Sequence, residues 1–478
     1  MAESTLALPD DPKGAVLRFA PNPNGPLSIG HARGVITNHY LAKKYAGTFI
    51  LRFDDTDPKT KKPVKEAYKW ITEDCRWLGC DPDLIVTASE NLESYYTYAL
   101  QLIEAGHAYV CTCEREAFKT KKDQKLACPH RGQTPAENKA GWEKMLSTTK
   151  EGEAVLRIKT DIENPDPALR DWAAFRILEA EHPLVGKKHR VWPMLDFESA
   201  IEDHVRGVTH IIRGIDLADS GLKQKYLYDY FGWTYPKVIL WGRLQIEETG
   251  KFSTSKMAQD IASGLLSGWD DPRIPTLRAL RRRGILPESI KELMLGLGLS
   301  DNAAALSLEN LYSINRKNLD QKTNRYFFIP DPVKLVAVGM PGKTIRMPLH
   351  PSFKDRGVRE QCYDDGGCLF IPKKDTDLKA GDIVKLMGLS CIQVESIEDG
   401  ILKAKYAPGE YKKAKKIQCL QDYVECEVMR PDGGLESGYC DPQCKSLEVG
   451  TVIQFERYGF CRLDSKDGGR LVFVYGHM

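Results

Sequence analysis

The first hundred residues alternate short apolar runs with longer amphipathic ones. Residues 16–19 (VLRF) read as a strand, followed by the Pro/Gly/Asn loop APNPNGPLSIG and a helix from 31 to about 45. A second strand, 48–53, ends in the acidic turn Asp54-Asp55-Thr56-Asp57, and a helix is expected from about 64 to 78. This order of strand, helix, strand, helix predicts a parallel sheet with helices packed on its faces. In such sheets ligands bind beyond the carboxyl ends of the strands, where both the glycine loop and the acidic turn fall.

From about 106 to 190 the alternation lapses. Cysteines, lysines and prolines interrupt it, as expected of a domain inserted into the sheet. Alternation resumes with a strand at 208–212, a helix around 222–230 and a strand at 237–240, and residues 274–299 carry helical signals. Beyond about 325 the chain breaks into short strands such as IVKLM, IQVESI, TVIQFER and RLVFVYG. Turn signals recur there every 8–12 residues or so, which predicts β-barrels.

Composition narrows the class. At roughly 150 residues per domain, 478 residues suggest about three domains. Charged residues make up 28% of the chain but nearly cancel, leaving a net charge of +2. A nucleic-acid partner would therefore be held by local basic surface rather than by overall charge. The thirteen cysteines, an odd and scattered set, indicate a reducing cytoplasm and not a disulfide framework. The N-terminus lacks a basic stretch followed by an apolar one, so no secretory leader is expected. No apolar run approaches the ~20 residues of a membrane span.

Three local patterns carry chemistry. In Pro23-Asn24-Gly25-Pro26-Leu27-Ser28-Ile29-Gly30-His31, a strand, a loop and a helix start form a cradle for an anion. No Gly-Lys-Ser/Thr follows, so it is not a Walker loop. His31 reads either as a donor to a phosphoryl oxygen or as a capping or core histidine. In Phe252-Ser253-Thr254-Ser255-Lys256-Met257, Lys256 reads either as a cation closing over a triphosphate or as part of a solvated loop. Cys111, Cys113, Cys128 and His130 form C-x-C-x14-C-x-H, a set that closes a tetrahedral structural Zn²⁺ shell; free thiols are the alternative. Cys440 and Cys444 lack further partners and imply no metal.

The first two patterns, in this order, resemble the HIGH and KMSKS signatures of class I aminoacyl-tRNA synthetases. The likeness continues in Arg18-Phe19, His31-Ala32-Arg33, Leu51-Arg52-Phe53-Asp54-Asp55-Thr56-Asp57-Pro58, Gly207-Val208-Thr209-His210, Arg243-Leu244 and Asp271-Pro272-Arg273-Ile274-Pro275-Thr276. These segments resemble the glutamyl/glutaminyl subfamily. Asp331-Pro332-Val333-Lys334-Leu335 and Gln454-Phe455-Glu456-Arg457 resemble the barrel domains of its glutaminyl members and of its archaeal and eukaryotic glutamyl members.

The resemblance implies an α/β Rossmann-type catalytic core in two halves, 1–105 and 191–245. An acceptor-stem domain with zinc, 106–190, would be inserted between them. A lysine loop and helical connector, 246–325, and two all-β anticodon-binding barrels, 326–478, would follow. It implies ATP with Mg²⁺, L-glutamate and tRNA(Glu) as partners, tRNA(Gln) as a further candidate acceptor, and a cytoplasmic monomer that activates its amino acid only with tRNA present. It implies that relatives carry an N-terminal extension which this sequence nearly lacks, as a shortened form would.

By the same resemblance, His31 and Lys256 would be catalytic. Asn24, Gly25, Ser28, Gly30, His31, Arg243, Leu244 and Lys256 would bind ATP. Arg18, Asp54 and Arg213 would bind glutamate, with Asp54 meeting the α-ammonium or else capping its turn. Glutamyl enzymes carry arginine at the position of Arg213, where glutaminyl enzymes carry a small neutral residue. A guanidinium suits the side-chain carboxylate because its planar fork makes two hydrogen bonds to it. The alternative is an arginine paired with an acid such as Asp216. Three positions depart from the family pattern: Ser28 and Ser253 replace a histidine and a lysine of the signatures, and Leu195 replaces a substrate-facing tyrosine. The rival functions are a glutaminyl enzyme and a tRNA-binding paralogue without catalysis.

Overall fold

A computed structural model describes residues 6–9, 11–242, 244–246, 253–398, 400–409 and 411–478. The chain divides into two compact units. The first comprises Met1–Ser263 and Ile290–Leu308, the second Gly264–Ser289 and Glu309–Met478. The expected connector, 246–325, is thus shared between them.

The first unit is built on parallel strands. Val16–Phe19 pairs with Thr48–Phe53, which pairs with Leu84–Thr87, all parallel. His210–Gly214 pairs in parallel with Lys237–Trp241. Thr209 stitches the two sets together: its N–H donates to Val16 O at 3.0 Å and its hydroxyl accepts from Val16 N at 2.9 Å. The resulting order, 84–87, 48–53, 16–19, 210–214, 237–241, reverses direction of winding between Val16–Phe19 and His210–Gly214. That is the switch point of a doubly wound sheet. Helices Ile29–Lys44, Lys65–Trp77 and Ala218–Phe231 cross over between strands. Leu17, Phe49, Leu51 and Ile211 are fully buried in the sheet. Gly47 permits the tight entry to the second strand, since a Cβ there would lie 1.9 Å from Ala15 O.

The strand expected at 208–212 runs instead over His210–Gly214. The helix Leu195–Val205 explains the shift. Gly207 takes a left-handed φ of 64° and donates to His204 O at 3.0 Å, while Val208 N donates to Asp203 O at 2.8 Å. This is a Schellman cap, and it uses the backbone of both residues. Arg213 therefore lies inside the strand, near its carboxyl end.

The inserted segment folds as an antiparallel meander of Ala108–Cys111, Val155–Ile158, Ala173–Ile177 and Val191–Pro193. Trp142, Phe175, Trp192 and Phe197 fill its core. His182 ties it to the acidic turn. Its Nδ1 accepts from Leu184 N at 3.2 Å, so its Nε2–H donates to Asp55 O at 3.0 Å.

The second unit holds two β-rich, barrel-like bodies, as the strand texture beyond 325 predicts. A six-stranded sheet contains Pro332–Val338, Ile383–Leu386, Cys391–Glu398 and Ile401–Tyr406. A seven-stranded sheet contains Val424–Met429, Val452–Phe455, Gly459–Asp467 and Arg470–His477. Each has its own apolar core, around Leu335, Ile371 and Leu402 in one and Phe328, Phe455 and Phe473 in the other.

Candidate active site

A cavity of about 330 Å³ opens at the carboxyl ends of the parallel strands. Arg18, Asp54 and Arg213 project into it from three successive strand ends, and Gly30 and His31 from the start of the first helix. Gly34 lets that helix approach the sheet, because a Cβ there would meet the Phe19 ring at 2.8 Å.

Two of the arginines are already balanced by carboxylates. Arg18 donates to both oxygens of Asp203, at 3.1 and 3.2 Å. Arg52 donates to Asp203 at 2.7 Å, to Ser199 Oγ at 2.7 Å and to both oxygens of Asp54, at 2.6 and 3.2 Å. Burial alone would raise the Asp203 carboxyl; Arg18 and Arg52 override it and hold it below the usual carboxylate range. Asp54 is raised, because burial outweighs the opposing pull of Arg52. Glu198, fully buried with no hydrogen-bond partner on either oxygen, is pushed well up by burial and then by Asp54. Its Oε1 lies 3.5 Å from Arg52 Nε, the nearest cation to it among the described residues.

Arg213 differs. Only 6% exposed, it donates through Nη2 to the neutral Gln224 Oε1 at 3.0 Å. Its Nε is buried and has no partner. Burial, then repulsion from Arg18, pulls its pKa down against the opposing pull of Tyr235 and Asp203. The site therefore has a donor and a charge to offer an anionic group.

At the helix start, Ser28 is the N-cap residue. His31 reaches back so that its Nδ1 accepts from Ser28 N at 3.1 Å and lies 3.2 Å from Ser28 Oγ. An imidazole whose Nδ1 accepts carries its proton on Nε2, which leaves an N–H donor for the cavity. The protein mass around the ring lowers its pKa and favours this neutral form, although part of the ring surface still opens to the cavity solvent. His31 thus caps the helix, as one of the two readings expected, and its Nε2 remains a candidate donor.

The other expected ATP residues are not brought to the cavity wall. Asn24, Gly25 and Ser28 stay in the loop behind His31, and Leu244 lies in a strand, Leu244–Ile246, paired with Ala304–Leu306. Arg243 lies outside the described residues. Lys256 sits on the exposed helix Thr254–Ala262 and pairs with Asp260 at 2.7 Å. Ser253 caps that helix by accepting from Lys256 N at 3.1 Å. Both departures from the signatures, Ser28 and Ser253, are therefore N-caps, a role for which serine is well suited. Leu195 stands at the rim, 41% exposed.

Four residues escaped the sequence reading. Arg52 is a charge set within the apolar strand TFILRF, a local signal. Glu198 and Asp203 sit on the helix Leu195–Val205 and Gln224 on Ala218–Phe231, where a polar residue carries no signal of its own.

In the insertion, Cys111, Cys113, Cys128 and His130 bring their ligand atoms within 4.8 Å of one another. Tetrahedral coordination with ~2.3 Å metal–sulfur and ~2.0 Å metal–nitrogen bonds separates two sulfurs by about 3.8 Å, and sulfur from nitrogen by about 3.5 Å. Cys111 Sγ and Cys128 Sγ are 3.9 Å apart, and Cys113 Sγ and His130 Nδ1 are 3.4 Å apart. His130 Nε2 lies 2.9 Å from Thr112 Oγ1, which leaves Nδ1 as the ligand nitrogen. The donor set and its spacing fit zinc.

A parallel sheet with a helix start and an arginine-lined cavity at its switch point, followed by two barrels, is a ligand-binding α/β core with appended β-domains. Residues 15–321 match the family of class I tRNA synthetases for E and Q, catalytic domain. Residues 323–407 and 410–464 match two anti-codon binding domains of the same class. The chain belongs to the class I tRNA synthetases, and within them to the glutamate and glutamine family. It is 49% identical to a glutamate–tRNA ligase of Methanococcoides burtonii over 96% of this chain and 82% of that protein. The identity to the ligase of Methanothrix thermoacetophila is 48%, over 97% and 82%. To that of Pyrococcus abyssi it is 46%, over 98% and 84%. Among the described residues no helix is long and apolar enough to cross a membrane.

Proposed function

We propose that the chain is a glutamate–tRNA ligase that uses ATP to join glutamate to the 3′ end of tRNA(Glu). The observation that carries the choice of glutamate over glutamine is the buried guanidinium of Arg213 at the cavity wall, whose Nε has no hydrogen-bond partner and whose Nη2 bonds the neutral Gln224. The near-full-length likeness to archaeal glutamate–tRNA ligases supports the same choice.

The chemistry has two steps. The glutamate α-carboxylate attacks the α-phosphorus of ATP in line, forming glutamyl-adenylate and releasing pyrophosphate. The terminal ribose hydroxyl of the tRNA then attacks the acyl carbon and displaces AMP. Neither step needs a protein nucleophile; positioning and charge stabilisation suffice. Arg213 receives the side-chain carboxylate, and Asp54, held on both oxygens by Arg52, faces the α-ammonium. Arg18, braced on Asp203, supplies positive field beside the reacting carboxylate. His31 donates Nε2–H to the phosphate chain. Lys256 swings from Asp260 to neutralise the charge that builds as pyrophosphate leaves. Mg²⁺ accompanies ATP.

Zinc on Cys111, Cys113, Cys128 and His130 closes the insertion as a structural site without an open position. None of the thirteen cysteines is in a disulfide, which supports a reducing cytoplasm. The test is pyrophosphate exchange and aminoacylation with tRNA(Glu), supplying glutamate or glutamine. Glutamate alone should support both. Exchange with glutamine as the better substrate, or with neither, would overturn the proposal.

A further inference from the structure

Arg213 is held in place by a neutral group. Gln224 is 2% exposed on the helix Ala218–Phe231 and also lines the cavity. Its Oε1 accepts from Arg213 Nη2 at 3.0 Å and from the Tyr235 hydroxyl at 2.8 Å. Turning the amide over would set N–H donors against the guanidinium, so the orientation is chemically determined.

The charges around this contact are unequal. Arg18, Arg52 and Arg213 supply three cations; Asp54 and Asp203 supply two anions, both engaged by Arg52 and one also by Arg18. Glu198 also lies against Arg52, at 3.5 Å, and the His31 Nδ1 accepts from Ser28 N. Among the described residues no carboxylate pairs with Arg213, whose guanidinium donates to the neutral Gln224 instead. Free glutamate carries a net charge of −1 and glutamine none.

A carboxylate at position 224 would sit at the same 3.0 Å from the guanidinium and form a closed buried ion pair. We infer that Gln224 is a specificity-determining positioning residue: its carbonyl aims the Arg213 fork while leaving the charge unspent for the substrate carboxylate. This rests on the reading of Arg213 as the side-chain contact. Selectivity then depends on a neutral residue next to the arginine as much as on the arginine itself. Glutamate at 224 would act as an internal competitor for the substrate's own side chain. A unit charge a few ångströms away at moderate dielectric is worth on the order of 10²–10³ in affinity.

The test compares Gln224→Glu, Gln224→Met and Arg213→Cys. For each, kcat/KM for glutamate and glutamine is measured with the same tRNA, together with the KM for ATP and a thermal melt. Gln224→Glu should cost glutamate on the order of 10²-fold, chiefly in KM, while sparing glutamine and the KM for ATP. Gln224→Met, which loosens Arg213 without cancelling it, should weaken glutamate by about 10-fold, one hydrogen bond's worth, and keep the preference. If Gln224→Glu and Gln224→Met show the same preference for glutamate, the inference is overturned. Loss of preference in Arg213→Cys together with an intact preference in Gln224→Glu removes only the role of Gln224. An intact preference in Arg213→Cys removes the underlying reading of Arg213.

Discussion

Arg18 grips Asp203 through two parallel hydrogen bonds, at 3.1 and 3.2 Å, and this pair is the foundation of the cavity floor. Both side chains are at least nine-tenths buried. Asp203→Asn would leave Arg18 and Arg52 as buried cations with half their partner removed. The expected cost is about 3–5 kcal/mol of folding stability, read as a shift in urea midpoint. The effect should depend on pH in a defined direction. Asp203 titrates lower in the folded than in the unfolded chain, so its stabilisation is complete above the ordinary Asp pKa of about 3.9. It is lost as pH falls through the lower folded value, so the gap between wild type and variant should close on acidification below about pH 4.

In the proposed role His31 donates through Nε2 because Ser28 N–H occupies its Nδ1. His31→Gln can keep both roles, accepting from Ser28 through Oε1 and donating through Nε2. His31→Ala keeps neither. Single-turnover adenylate formation should fall by roughly 10²-fold or more in the alanine variant, and by clearly less in the glutamine one. Equal losses would show that the ring acts by shape or charge and not by this hydrogen-bond pattern.

Lys256 spends its resting state on an exposed contact with Asp260 four residues along the helix. Such pairs contribute a few tenths of a kcal/mol, so the lysine is free to leave. Lys256→Ala should leave the melting temperature unchanged and slow glutamate activation by about 10²–10³-fold, with glutamate affinity unaffected. An unchanged activation rate in single turnover would remove Lys256 from the chemistry.

The zinc site makes a graded prediction. Protein purified without added metal should contain one zinc per chain, and Cys128→Ser should lose it. Thr112→Val should retain the four ligands but weaken zinc by roughly 10–100-fold in a chelator competition, because the hydroxyl that accepts from His130 Nε2 is gone. A cobalt-substituted sample without thiolate charge-transfer bands would contradict the assignment.

The local alternation of strand and helix made the parallel sheet legible, and turn spacing made the barrels legible, because period and punctuation are local properties. Motif order made Arg18, His31, Asp54 and Arg213 legible as one site. The charge network beneath them was not. Asp203 lies about 150 residues from Arg52 in sequence, and only the closing of the sheet brings the two together. The Schellman cap at Gly207 moved a strand by two residues for a reason that involves a preceding helix. The partner of Arg213 could not be read at all. An acid such as Asp216 was the alternative to the substrate carboxylate, whereas the hydrogen bond found goes to Gln224.

The measurement that bears most directly on the choice of amino acid is kcat/KM of Arg213→Cys for glutamate and for glutamine, with one tRNA(Glu) preparation used for both. A buried guanidinium that receives the substrate carboxylate should be worth at least a few kcal/mol to glutamate and almost nothing to glutamine. The expected result is a loss of glutamate activity by a factor of about 10² or more with glutamine unchanged or improved. Equal losses for both amino acids would contradict the account, since Arg213 would then support the fold of the pocket rather than read the charge of its substrate.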